Sequence, residues 1–145
     1  MGELLLYSLD RRINLEQQIW PALAANKVVL CDRYLDSSLV YQGYAGELGI
    51  EQVLKMQKFI TRNTFPDITF LFELPLKQAK VRTQSRSKLD RFDAVNRQFR
   101  QMIHEGYDQV RQMFANRFHI IDASRDRANV LQQVQTVLKK VLKLD

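Results

Sequence analysis

One cysteine, Cys31, stands among 145 residues; a lone thiol has no partner within the chain, so no internal disulfide framework can hold this fold. With only two histidines beside it, no Cys/His cluster of metal-ligand spacing can form either. Cys31 ends the apolar run Val28-Val29-Leu30 and is expected in buried packing. Long hydrophobic runs are also missing. No stretch approaches the roughly 20 apolar residues of a bilayer-spanning helix. Met1-Gly2-Glu3 lacks the basic start of a signal peptide, so a cytoplasmic address is expected. Only three prolines and five glycines are present, and they form no linker, repeat or low-complexity tract that would split the chain.

What is there is enough for one core. An apolar share of 46% at this length suits a single domain over residues 1–145, and the ordinary charged fraction argues against general disorder. The formal net charge of +6 favours an anionic partner, a nucleotide phosphate or a nucleic acid. Charge alone leaves that choice open.

Residues 3–25 carry Leu5, Leu9, Ile13, Ile19 and Leu23 at mostly helical spacing, with Pro21 placed late enough to kink the helix. Residues 27–31 form a short, β-branched, continuously apolar run, the pattern of a strand buried on both faces. Residues 32–49, with Gly43, Gly46 and Gly49 among polar and aromatic side chains, form a functional loop region with room for a short helix. A helix over 50–62 follows, with Val53, Leu54, Gln57 and Ile60 on one face. A second strand covers 68–74, a basic polar stretch 82–93, a long amphipathic helix 95–114 and a third strand 118–122. Ser124 is positioned to cap a final helix whose face begins at Val130. Helices alternating with wholly apolar strands predict an α/β fold, a parallel sheet with helices on both faces.

In open parallel sheets, ligands bind beyond the carboxyl ends of the strands. The first expected strand runs straight into Asp32-Arg33-Tyr34. Arg33 can clamp a phosphate, and Asp32 can hold a metal through water or orient the arginine; a local Asp-Arg salt bridge is the equal alternative. Tyr41-Gln42-Gly43 offers an aromatic face, an amide with donor and acceptor, and a bare backbone. Those parts suit a pyrimidine ring, or else Tyr41 fills the core beside a turn. Tyr7 and Arg11, one helical turn apart, can sandwich a base or simply pair on the surface.

Taken in order, Leu5-Leu6-Tyr7-Ser8-Leu9-Asp10-Arg11, then Asp32-Arg33-Tyr34 through Tyr41-Gln42-Gly43, then Pro66-Asp67-Ile68-Thr69-Phe70-Leu71 resemble the thymidylate kinase family. Ser87-Lys88-Leu89-Asp90-Arg91-Phe92-Asp93 is similar to that family's lid, and Glu105-Gly106-Tyr107 and Ile121-Asp122-Ala123-Ser124 also match it. The resemblance spans essentially the whole chain. It implies phosphoryl transfer from ATP to the 5′-phosphate of dTMP, giving dTDP and ADP with Mg2+, in a homodimer built through helices that include the first one here.

It further implies roles. Tyr7 stacks on thymine, Arg11 bonds a thymine carbonyl, Arg33 takes the dTMP phosphate, Tyr41 and Gln42 meet base and sugar, and Ser37 and Ser38 line the acceptor site. Asp32 sits near metal and phosphates. Arg82, Arg86, Lys88 and Arg91 belong to the lid about 82–93, with Arg86 and Arg91 as the catalytic cations, and Arg82, Ala123, Ser124 and Arg125 lie on the ATP side. A solvated basic helix end is the plainer reading of the lid stretch. Positioning and charge neutralisation carry most of such a transfer, and one well-placed cation contributes roughly 10³ to 10⁵ in rate.

One departure is plain. The family's phosphate loop, G-x-x-x-x-G-K-[ST], occurs nowhere in these residues; none of the five glycines is followed by Lys-Ser or Lys-Thr. The fold expected is therefore a truncated P-loop-kinase-like sheet, with first strand, P-loop and second strand absent, and the chain alone is expected to have little kinase activity. Rival readings are a non-catalytic nucleotide-binding remnant, a basic nucleic-acid-binding α/β module, and a kinase acting on another nucleotide.

Overall fold

The structure is a computed structural model that describes residues 1–75 and 93–143. They fall into two compact units, Met1–Phe65 with Val95–Met113, and Pro66–Ala94 with Phe114–Asp145.

The first unit is helical. Helix α1, Gly2–Asn14, turns Leu4 and Ser8 inward because residues four apart share a face. It passes without a break into a π-helical segment, Leu15–Ile19, closed by the Trp20 N–H reaching back five residues to the Leu15 carbonyl. Helix α2, Trp20–Ala24, continues from there with Pro21 in its first turn. A proline has no N–H to give, so it is tolerated where a helix starts afresh; the change of hydrogen-bond register just ahead of Pro21 provides that start.

Helix α3, Leu35–Ser38, runs into a second π-helical segment, Leu39–Tyr44. Gly49 then adopts φ +83° and leads into α4, Ile50–Thr61, a conformation only glycine enters cheaply. Helix α5 spans Asp93–Met113. The unit's core is Leu4, Leu15, Leu35, Leu39, Val40, Val53 and Val110, none more than 1% exposed. Gly106 lets α5 come close: a Cβ there would lie 3.0 Å from Val40 Cγ1 and 3.2 Å from Tyr44 Cβ.

The second unit holds a parallel pair, β1 (Thr69–Glu73) and β2 (Phe118–Asp122), in register Thr69 to Phe118 through Glu73 to Asp122. Phe118 and Ile121 are buried. Helix α6, Arg127–Leu142, packs on β2, and its Gln133 amide binds both the N–H and the carbonyl of Asp122. Among the described residues no helix is long and apolar enough to cross a membrane.

Four expectations are corrected. Residues 27–31 form no strand: the sheet of the described residues contains β1 and β2 alone, and an apolar run without a ladder partner has nothing to hold it extended. Val28 and Leu30 are accordingly 69% and 85% exposed, and Cys31 is exposed rather than buried. The sheet is not covered on both faces, since Phe72 and Ile120 stay exposed. The cap of α6 is Asp126, whose carboxylate accepts the Asn129 N–H; Ser124 stands two residues too early and donates to Asp122 instead.

Candidate functional site

The first unit carries a cavity of about 480 Å³. Helix α1 contributes Tyr7 and Arg11 to it, the irregular stretch after α2 contributes Cys31, Asp32 and Arg33, and α3 with its π-helical continuation contributes Ser37, Ser38, Tyr41 and Gln42. Tyr7 and Arg11 of α1 thus share one wall system with Arg33 and Tyr41, which come from two later stretches of the chain. Phe99 of α5 completes it, its ring meeting Tyr41 edge-on at 6.1 Å between centroids.

Two guanidinium groups share the cavity with the carboxylates of Glu3, Asp10 and Asp32, and the two are held differently. Arg11 is half-buried. Its Nη1 donates to Gln57 Oε1 at 2.5 Å, and its Nη2 donates to the Tyr34 carbonyl at 3.2 Å and to Ser38 Oγ at 3.0 Å. It also lies 5.3 Å from the Tyr34 ring centre. Burial pulls its pKa below the usual arginine value, because a desolvated cation is disfavoured, although an arginine keeps its charge at any physiological pH. Burial likewise pushes the Tyr34 phenol up to about 12, so it stays a neutral hydroxyl and donates to the Thr64 carbonyl.

Arg33 is exposed, and it occupies the left-handed region at φ +61°, a conformation a non-glycine residue takes only when its surroundings hold it there. Its guanidinium stacks over Tyr41 at 4.6 Å, and its Nε donates to Ser37 Oγ at 3.3 Å. Ser37 Oγ lies 3.2 Å from the Tyr107 hydroxyl. Burial raises the Tyr107 pKa, with the Ser37 hydrogen bond opposing. Gln42 is buried and donates to Glu3 Oε2 at 3.1 Å.

Every acceptor-side residue singled out from sequence therefore lies around one space: Tyr7, Arg11, Asp32, Arg33, Ser37, Ser38, Tyr41 and Gln42. The local Asp32–Arg33 salt bridge does not form; Arg33 turns to Ser37 and Tyr41 instead. Ala123, Ser124 and Arg125 lie in the second unit at the end of β2, where Asp122 accepts the Ser124 N–H and Oγ and the Arg125 Nε. These hydrogen bonds, the Ser124 hydroxyl first, hold the Asp122 carboxyl below the usual range. Arg82, Arg86, Lys88 and Arg91 lie outside the described residues. Sequence reasoning gave no site role to Gln57, Tyr107 or Phe99. Their helical spacing marked faces of α4 and α5 without revealing what those faces touch, although Tyr107 did fall in a matched string.

The family model for thymidylate kinase matches residues 1–134. The chain belongs to the thymidylate kinase family. It is 41% identical over 143 residues to the thymidylate kinase of Bacillus velezensis, covering 97% of this chain and 68% of that protein. The thymidylate kinase of Bacillus licheniformis is 36% identical with the same coverage, and that of Mycoplasma mobile is 35% identical over 145 residues, 99% of this chain and 69% of the relative. Within this family the cavity's contents make chemical sense as a set: aromatic faces for a planar base, an amide for its polar edge, and two cations for anionic or carbonyl oxygens.

Proposed function

We propose that the cavity receives the acceptor nucleotide of a phosphoryl transfer, from ATP to the 5′-phosphate of dTMP, yielding dTDP and ADP. The observation that carries this reading is the gathering of Arg11, Arg33, Tyr41 and Gln42 around one space in a chain of this family. Tyr7 offers its ring to the base, Arg11 an N–H to a base carbonyl, and Tyr41 and Gln42 the ring and amide that hold base and sugar. Arg33 meets the phosphate, with Ser37 and Ser38 beside it. Arg33 is free to give a two-pronged contact to that phosphate because its bonds to Ser37 and Tyr41 neutralise none of its charge. Arg86 and Arg91 act as lid cations, with Arg82, Ala123, Ser124 and Arg125 on the donor side.

Mg2+ arrives with ATP in this reading and neutralises phosphate charge. Among the described residues no group of three His, Cys, Asp or Glu could cage a metal. A magnesium ion that keeps its waters and rides on substrate phosphates needs only one or two carboxylates. Asp32 fits that demand, an exposed carboxylate on the cavity wall.

The 145 residues are one kinase domain in this reading. They contain no phosphate-loop string, so we expect acceptor binding without efficient turnover until a strand and phosphate loop are supplied. A cytoplasmic address goes with these substrates. The active form is a homodimer that uses the outer face of α1.

Calorimetric titration of the purified chain tests the assignment: dTMP should bind ahead of dUMP and dCMP. Joining a strand and phosphate loop to the N-terminus should yield ADP in a coupled assay with dTMP. If the completed chain turns over no dTMP, the assignment fails. The net charge of +6 gives a nucleic-acid reading one argument. Affinity for DNA or RNA that collapses with added salt while dTMP binds nothing would favour that alternative.

A further inference from the structure

Arginine 11 is restrained in an unusual way for this chain. Arg12 is closed by the Glu16 carboxylate at 2.7 Å, and Arg125 by Asp122 at 3.0 Å. Arg11, more enclosed than Arg125, is instead held by three neutral acceptors: the Gln57 amide, the Tyr34 carbonyl and the Ser38 hydroxyl. No carboxylate bonds it directly, although Asp10 and Asp36 act on it from farther off, and enclosing a guanidinium without a directly paired anion is costly. The arrangement makes sense when the charge is wanted by something that enters later.

Gln57 is the least dispensable of those acceptors. It is 0% exposed, comes from α4, and is not among the residues that line the cavity. Its amide is fixed in sense by the guanidinium, which can only donate and therefore takes Oε1, leaving Nε2 to donate to Ser8 Oγ at 2.9 Å. Arginine has five N–H positions. Among the described residues three of these are occupied, leaving Nε and one Nη1 hydrogen for a ligand. A glutamate in the same place would still accept but would quench the cation; an apolar side chain would let it swing.

We infer that Gln57 is a positioning residue: through the Ser8–Gln57–Arg11 chain it aims the Arg11 guanidinium into the cavity with no carboxylate bonded to it, and so sets the preference for a pyrimidine with a carbonyl at C4 over one with an amine. This rests on the acceptor-nucleotide reading. Cytosine presents an amine where thymine presents the carbonyl, and a fixed donor rejects it, whereas a swinging one accommodates both.

The test compares wild type, Gln57→Met, Gln57→Glu and Ser8→Ala, each with its melting temperature, for binding of dTMP and dCMP and for the side-chain ¹⁵N–¹H resonances of Arg11 without nucleotide. Gln57→Met should shift and broaden those resonances and cut the dTMP-over-dCMP preference about tenfold or more, the scale of a lost hydrogen bond to a charged group. Gln57→Glu, which keeps the acceptor but quenches the cation, should keep most of the preference while binding both nucleotides more weakly. Ser8→Ala, a smaller lesion that serves even if Gln57→Met fails to fold, should reduce it partway.

An unchanged preference in Gln57→Met and Ser8→Ala overturns the inference, as does an equal loss of affinity for both nucleotides, which would mark simple packing. If wild type has no preference between the two nucleotides, the acceptor-site reading and the specificity claim both fall. The resonances then decide the orientation alone: unmoved, they refute it, and moved, they sustain it.

Discussion

A hydroxyl 3.2 Å from Ser37 Oγ gives Tyr107 a part to play that its ring alone would not. Ser37 is also the acceptor for Arg33 Nε, so removing the Tyr107 hydroxyl frees the serine to turn and loosens the arginine. Tyr107→Phe should weaken dTMP binding roughly two- to tenfold, the range of one neutral hydrogen bond, while leaving thymidine, which lacks the phosphate, unaffected. Parallel titrations with the two ligands check this. Residues of this kind were the hardest to read in sequence. Arg11, Arg33 and Tyr41 declared themselves through charge, ring and neighbouring motif. Gln57 and Tyr107 were seen only as members of helical faces, because spacing says which way a side chain points and not which side chain, forty-six or seventy positions away, it meets. Trp20 is another such case: it lies between the Arg12 and Arg62 guanidinium groups and donates to Thr64.

Elements were legible where their stabilisation is local and illegible where it comes from a neighbour. The expected helix at 50–62 and strand at 118–122 match α4 and β2 within a residue, since periodicity and turn residues suffice for them. The run at 27–31 has the composition of a strand and lacks the ladder. The turn after Leu39–Tyr44 is fixed by close approach: a Cβ on Gly46 would lie 2.8 Å from the Gln42 carbonyl oxygen and 3.0 Å from that of Tyr41. Backbone cannot step aside as a flexible side chain can, so Gly46→Ala should cost about 1–3 kcal/mol in urea unfolding and should weaken dTMP binding by displacing Tyr41 and Gln42. Helix α6 offers a pH test. Hydrogen bonds from Asn129, its backbone N–H first, depress the Asp126 pKa. The capping stabilisation is therefore present above the unfolded-state pKa and is lost as pH falls through the folded one. Asp126→Ala should lower the melting temperature by a few degrees at neutral pH, and the gap to wild type should close in acid below the ordinary aspartate range.

At the scale of the whole molecule, the outer face of α1 leaves Leu6, Leu9 and Ile13 70%, 60% and 44% exposed, an apolar stripe at helical spacing that suits a second copy of the chain. On the proposed homodimer, Leu9→Glu should convert dimer to monomer in sedimentation at micromolar concentration; an unchanged sedimentation coefficient would rule this face out as the contact. The family was legible from strings spread along the chain. The sheet was legible in part: β1 and β2 pair among the described residues, and the strand expected at 27–31 does not join them. One earlier feature bears on every such measurement. Cys31 is solvent-accessible and borders the cavity, and it is the chain's one sulfhydryl. A maleimide dye should thus attach once per polypeptide, more slowly when a nucleotide shields the rim, while air oxidation can join two molecules covalently and never three.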